Sequence, residues 1–409
     1  MRIRSITYFV EGTWPLNEES LEKAGDFIRR ARAEFTEAGY EVQTVRLATT
    51  PFPQWCPLDK MVEAAQALEA KAVELGYEYL ALGPATPERP ESYAVIPEVL
   101  AATEHTFLSG VMASMEEGIS LKAVRACAEV ICRAAPLEEG GFANLRFAAL
   151  ANVPPGSPFF PAAYHGGGAP RFALATEAAD LAVQAFTDAK GLNDGVTKLV
   201  KAVEGEARVL EKIGEALSAH FGVGFGGIDF SLAPYPEARR SLGAAMERMG
   251  VPQVGTHGSL AAAAVLAAAI DKAKFRRCGF SGLLLPQLED AVLAKRAAEG
   301  ALTVKDLLTY SAVCGTGLDT IPLSGDTQPE ALAALLLDLA ALALRLDKPL
   351  TARLMPIPGK QAGEKTDFNF PYFANSRVME LMAEPLRGYL AGDESFTLVS
   401  KAKHSGNQL

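Results

Sequence analysis

The chain has 409 residues, 49% apolar and 22% charged, with a formal net charge of −10. That length and apolar share support a large globular core and exclude a disordered chain. The acidic balance, with no basic run to offset it, argues against nucleic acid or an anionic membrane as partner.

The five cysteines (Cys56, Cys127, Cys132, Cys278 and Cys314) are scattered and form no CxxC pair. This excludes a disulfide framework or a structural zinc site and fits a reducing cytoplasm, the expected location. The opening MRIRSITYFVEGTW lacks the apolar core and cleavage site of a signal peptide. The longest apolar run, 331–344, is broken by Asp338 and reads as a buried helix rather than a membrane span.

In chain order, 3–10 reads as a strand, 18–38 as a helix ended by Gly39, and 40–47 as a second strand. A Pro/Thr-rich loop leads to a helix at 58–75, then a strand at 77–82, a helix at 93–102, a strand at 106–111 and a helix at 121–134. A short apolar strand at 145–151 runs into the Pro/Gly-rich segment 153–170. Alanine-rich helices are predicted at 174–189 and 196–219, a strand at 226–232 and a helix at 237–248. Further helices are predicted at 260–272, 288–299 and 303–312, and strands at 279–285 and 350–357. Strands spaced by helices imply βαβ units, a largely parallel sheet and a single α/β domain over 1–409, with chemistry in the loops at strand ends.

Several loops and strand ends carry candidate chemistry. In Tyr164-His165-Gly166-Gly167-Gly168 the glycines allow close backbone approach, their N–H groups can hold an anion, and His165 can transfer a proton. HGGG alone does not make an esterase, because no G-x-S-x-G elbow accompanies it. Gly222 to Gly227 formally matches G-x-G-x-x-G, but a helix precedes it and a strand follows, so no dinucleotide is inferred. Asp229 and Ser231 share one side of a strand end and can point at a ligand or cap a turn.

Thr256-His257-Gly258 opens a helix and offers a second small-His-Gly loop in a chain with 5 histidines. Cys314-Gly315 follows a helix and places a cysteine where it could be reactive. Asp319 and Asp326, seven apart, could hold a divalent cation through oxygen. Thr327 to Glu330 reads as a capping box. Arg353, at the end of a strand, could neutralise an anionic substrate, and Ser281 sits in another glycine-rich turn.

Taken in order, MRIRSIT, EVQTVRLAT, YHGGGAP, GIDFSLAPYP, VGTHGS, CGFSG and CGTGLDTIPLSGDT resemble the family called domain of unknown function 711, over nearly the whole chain. The resemblance implies a fold similar to pyruvate formate-lyase: a ten-stranded α/β barrel of two five-stranded halves with a loop threaded inside. By that analogy Cys314 is the cysteine of the internal finger loop. A glycyl-radical enzyme also needs a C-terminal glycine in an Arg-Val-x-Gly-Tyr setting. Here Arg377-Val378 is followed by Met379 and Glu380, and Gly388, Gly392 and Gly406 lack the Arg-Val context. No glycyl radical is therefore expected.

The expected function is a non-radical enzyme acting on a small anionic metabolite. His165 and His257 would act as acid and base, Asp229 would orient, Cys314 would assist, and Gly166–Gly168 would stabilise charge. The ligand-binding set is completed by Tyr164, Ser231, Thr256, Ser281, Gly315 and Arg353. The alternatives are a metabolite-binding or regulatory protein and a metal-dependent enzyme using Asp319 and Asp326. A homodimer is the default assembly.

Overall fold

Side chains alternate across a strand, so each strand of a sheet covered on both faces must satisfy two surroundings at once. In the computed structural model, which describes residues 1–401, an 11-stranded, largely parallel sheet provides the frame. Its first half contains β1 (Arg2–Val10), α1 (Glu18–Glu37), β2 (Val42–Thr49), α2 (Met61–Glu74), β3 (Tyr79–Ala85), α3 (Ile96–Ala102), β4 (Thr106–Ser114), β5 (Gly118–Ser120), α4 (Leu121–Ala134) and β6 (Phe147–Ala151). Then come β7 (Arg171–Glu177), α5 (Ala179–Thr187), α6 (Leu192–Phe221), β8 (Gly224–Asp229), α7 (Leu242–Arg248) and α8 (Ser259–Lys272). The chain continues through α9 (Ala291–Ala298), α10 (Val304–Tyr310), β9 (Gly317–Ser324), α11 (Pro329–Leu346), β10 (Leu350–Ile357) and β11 (Ser395–Phe396).

The strand order is β8-β7-β1-β2-β3-β4-β6-β10-β9, with β5 paired to β4 and β11 paired to β5. Strands β1, β2, β3, β4 and β6 run parallel. The pairs β7–β8 and β9–β10 are each internally parallel and run antiparallel to that block. The segment 277–287 bonds at both edges. Cys278 N–H donates to the Ile228 carbonyl and Leu232 N–H to the Gly282 carbonyl, while Gly315 N–H donates to Leu283 and Gln287 N–H to Asp319. It is not the regular strand predicted at 279–285. Gly279 (φ 59°) and Ser281 (φ 39°) take left-handed backbone that breaks the ladder.

The helices cover one face of the sheet. Ile6, Tyr8, Val45, Leu47, Leu80 and Leu108 pack there. The opposite face is filled by the segment 153–168. Phe160 and Ala163 pack against Phe9, Ala48, Ala81, Phe107 and Ala173, and Phe159 and Ala162 pack against Ala148 and Leu150. Ser5 and Thr7 donate their hydroxyls to the Pro158 carbonyl, at 3.5 and 3.4 Å. Burial of each phenylalanine contributes about 2 kcal/mol, and truncating Phe160 to Ala would open a cavity costing about 3–5 kcal/mol. The segment covering this face is 153–168, and Cys314 does not sit in it. Cys314 is 2% exposed and packs in the helix-side core.

Two further expectations are corrected. The predicted helix at 174–189 is β7 followed by the shorter α5. Alanine and leucine gave this stretch a helical reading, but Phe172 and Leu174 face the helices while Ala173 faces the inner segment, and sheet pairing overrides local propensity. The predicted capping box is absent. Gln328 occupies the N-cap of α11 without a side-chain bond, and Thr327 donates to the Ser324 carbonyl instead. Among the described residues no helix is long and apolar enough to cross a membrane.

Candidate functional site

The sheet face covered by 153–168 carries charge at one end, where β1 to β4 begin and β10 ends. Alternation along β2 turns Thr44 and Arg46 inward, next to Ala48, while Val45 and Leu47 face the helices. In β1 the register slips between Ile3 and Ser5. This bulge lets Arg4 and Ser5 both face inward, whereas Ile3 packs with the helices. A matching slip on β9–β10 lies between Ala352 and Leu354, opposite Thr320, whose φ is 49°. It presents Asp319 to Arg353 between the helix-facing Leu318 and Ile321.

These residues form one ion network. Arg353 donates through Nε to Asp319 Oδ1 at 2.6 Å and through Nη2 to Glu289 Oε1 at 2.9 Å. Arg4 donates to the other oxygen of Glu289. Glu289 is held in place by its neighbour. The buried Asp290 accepts from Leu242 N–H, Val292 N–H and Leu293 N–H and from the Ser241 hydroxyl, joining the starts of α7 and α9. Arg4 and Arg353 outweigh burial and hold the Glu289 carboxyl below its usual range. Burial dominates at Asp319 and pushes it up despite Arg353, and its Oδ2 has no hydrogen-bond partner among the described residues.

Arg46 stands apart. Its Nε donates to Thr44 Oγ1 at 2.8 Å, and its guanidinium lies 5.0 Å from the Phe160 ring centroid and 5.6 Å from that of Tyr79. No carboxylate pairs with it among the described residues. Burial, then the charges of Arg4 and Arg353, push it down to about 9. All three arginines line one pocket that opens to solvent. Aromatic rings supply the other walls: Tyr79 and Phe107 from the sheet, Phe160 from the inner segment, and Phe370 and Tyr372 from the C-terminal strap. The strap, 368–376, is itself seated by edge-on and tilted ring contacts of Phe370 and Phe373 with Phe142 and by Ala374 N–H donating to the Leu288 carbonyl. This arrangement can bind an anion on guanidinium and enclose an apolar body.

Of the residues singled out from sequence, Arg353 lines this pocket and Asp319 bonds to it. The others are elsewhere, and His165, Asp229, His257 and Cys314 do not share a cavity. His165, 1% exposed, lies by the opposite ends of β1 and β2, where its N–H donates to the Thr49 carbonyl. Among the described residues its ring nitrogens have no hydrogen-bond partner, the Ala169 backbone is close by, and burial holds the imidazole below its usual range. Gly168 N–H binds the Glu11 carboxylate at 2.9 Å and Tyr164 donates its hydroxyl to the Val153 carbonyl, which occupies two polar groups of this loop and leaves the His165 ring aside. Gly166 and Gly167 lead into β7 rather than a helix.

Asp229, Ser231 and Ser281 meet one another. Asp229 accepts from the Ser231 hydroxyl at 2.5 Å and from Phe280 and Ser281 N–H, both at 2.9 Å. This knot ties β8 to 278–282, and a side chain on Gly279 would collide with the Asp229 carboxylate. His257 and Thr256 are exposed on a turn closed by Ser259, whose hydroxyl donates to the Thr256 carbonyl at 2.7 Å. Gly315 packs against the backbone of Leu283. Asp319 and Asp326 do not form a cation site. About 16 Å of strand separates Asp319 from Ser324, and Asp326 is exposed and bonded to Ser324 and Gln361. No cluster of three or more His, Cys, Asp or Glu residues suited to a metal occurs among the described residues.

Arg4, Arg46, Glu289, Tyr79 and Tyr372 were missed as site residues. For the two arginines the available signal was a charge beside apolar strand residues, Arg4 after Ile3 and Arg46 between Val45 and Leu47; nothing local marks Glu289, Tyr79 or Tyr372.

The chain matches the family model described as "Uncharacterised ACR (DUF711)" over residues 1–374. It is similar to a UPF0210 protein of Pyrobaculum islandicum, 35% identical over 379 residues, covering 87% of this chain and 82% of the relative. It is also similar to UPF0210 proteins of Pelotomaculum thermopropionicum (32% identical, 84% and 80% covered) and Methanosarcina acetivorans (30% identical, 86% and 80% covered). By the span of that match and the length over which these relatives align, the chain belongs to the DUF711 (UPF0210) family.

Proposed function

We propose that the chain is an enzyme that binds a small anionic metabolite in the Arg4–Arg46–Arg353 pocket and acts on it by acid/base chemistry without a radical. The observation carrying this reading is Arg46, a guanidinium held between two rings beside two other arginines, with no carboxylate of its own. Removing an unpaired charge from water costs several kcal/mol, and a ligand anion offsets that cost. Tyr79 and Tyr372 supply the proton chemistry. Both line the pocket, and burial, then Tyr79, push the Tyr372 phenol up, so that it remains a proton donor.

The fold reading extends to a closed ten-stranded barrel similar to pyruvate formate-lyase. Two features support it: two sets of parallel strands of opposite sense, and the segment 277–287 bonded to β8 at one edge and β9 at the other. The segment 153–168 then takes the place of the internal loop.

A second reading, a metabolite-binding protein without turnover, is favoured by one observation: among the described residues no histidine, cysteine or lysine lines the pocket. Mass spectrometry of ligand retained by the natively purified protein, followed by a turnover assay on that compound, separates the two. Turnover lost in Tyr372→Phe with binding retained supports the enzyme. Tight binding without turnover supports the second reading. Undiminished anion binding in Arg46→Gln overturns the pocket itself.

A further inference from the structure

Resting on the anion-pocket reading, we infer that the bound group is a monoanionic carboxylate carried on a flat, apolar body. The charge count leads there. Three guanidiniums (Arg4, Arg46 and Arg353) face two carboxylates (Glu289 and Asp319). Glu289 gives one oxygen to each of Arg4 and Arg353, and Asp319 takes the Nε of Arg353. The nearby Glu177 is answered outside the pocket by Arg240, at 3.3 Å. One positive charge remains, on Arg46. A phosphate dianion would leave a negative charge uncompensated in a site with a partly apolar wall, whereas a carboxylate closes the count at zero.

Geometry agrees with charge. The Nε of Arg46 is committed to Thr44, which leaves the two terminal nitrogens as one planar edge. That edge matches the two oxygens of a carboxylate. The adjoining walls are rings in edge-to-face contact, Tyr79 on Phe107 with centroids at 5.0 Å and Phe107 on Phe160 at 5.4 Å, with Phe370 and Tyr372 facing them from the strap. A planar body buries its faces against such walls, and a branched polyhydroxylated one finds few partners there.

Isothermal titration of the full chain at constant ionic strength tests this with five probes: benzoate, cinnamate, acetate, phenyl phosphate and benzamide. The expected result is that benzoate or cinnamate binds at least about tenfold more tightly than acetate and than phenyl phosphate, and that benzamide does not bind. Arg46→Gln should remove the carboxylate preference, and Phe370→Leu should narrow the gap between cinnamate and acetate. Phenyl phosphate bound more tightly than benzoate, and lost in Arg46→Gln, would keep the anion pocket and overturn the monocarboxylate. Acetate equal to cinnamate would overturn the flat body. No anion bound at millimolar concentration, with the fold intact by circular dichroism, would overturn both this inference and the reading beneath it.

Discussion

Arg353 on β10 reaches across to Asp319 on β9, with Nε 2.6 Å from Oδ1, and the two are joined where a bulge interrupts both strands. Removing one member leaves the other charge buried. Arg353→Met should therefore cost about 3 kcal/mol at pH 7, read by urea unfolding. The loss should be smaller at pH 5. Burial already pushes Asp319 up, and without Arg353 its folded-state value rises further above the unfolded one. Such a group stabilises below its unfolded value, and that contribution is lost as pH rises through the folded one. A deficit equal at both pH values would mean that Asp319 does not carry the unpaired charge.

Arg46 predicts a trade between stability and binding. Its folded-state value, about 9, lies below that of an exposed guanidinium, so at neutral pH the folded protein holds a charge it would more readily release. Stability from this group rises with pH only above about 9, where the unfolded chain binds more protons. At pH 7, Arg46→Gln should unfold at a temperature equal to or above that of the parent, with a gain of about 1 kcal/mol at most. It should also lose the upward shift that a carboxylate ligand gives the parent. In the parent, carboxylate affinity should fall once pH passes about 9. A strongly destabilised Arg46→Gln variant would assign Arg46 to the framework instead.

The contrast between Arg46 and His165 shows what was legible in the sequence. The strands at 3–10 and 350–357 and most helices follow from period and punctuation, and the structure has them. Glycine-bearing loops stood out because glycine and histidine are chemically conspicuous, yet in YHGGG the Gly168 N–H and the Tyr164 hydroxyl are taken by Glu11 and Val153, and the loop lies away from the arginine pocket. The pocket instead arises from ordinary-looking arginines on strands. Their convergence depends on which strands neighbour one another and on two register slips that local pattern does not carry. β7 was hidden for a related reason: its pairing partner, β1, lies about 170 residues earlier in the chain.

His165→Leu should be tolerated. The residue is 1% exposed, its ring nitrogens have no hydrogen-bond partner among the described residues, and burial lowers its folded-state value. Such a base favours folding above its unfolded value, near 6.5, and loses that contribution as pH falls, because the unfolded chain takes the proton. The leucine variant removes this acid sensitivity. Its melting temperature relative to the parent should be higher at pH 5 than at pH 8. Carboxylate binding should not change, since His165 lies at the other end of β1 from Arg4. Lost binding in a folded His165→Leu protein would return catalytic weight to the YHGGG loop.

The last prediction concerns Cys314 and the radical. A glycyl-radical relay needs a cysteine and a radical-bearing glycine side by side. Here Met379, two residues after Arg377, pairs with Leu323 near the end of β9, whereas Cys314 precedes the start of that strand. About 20 Å of extended chain separates the two. Gly388 and Gly392 lie farther along the C-terminal segment, and Gly406 lies outside the described residues. Cys314 is 2% exposed among aliphatic side chains, and its carbonyl is bound by Lys348. Treatment with a glycyl-radical activating enzyme should therefore produce no glycyl doublet by electron paramagnetic resonance, and exposure to air should leave the backbone uncut. Native alkylation should reach the partly exposed Cys132 before Cys314, and benzoate should not alter either rate. A doublet accompanied by fast, ligand-protected labelling of Cys314 would require a rearranged active form and would move the chemistry from the arginine pocket to that cysteine.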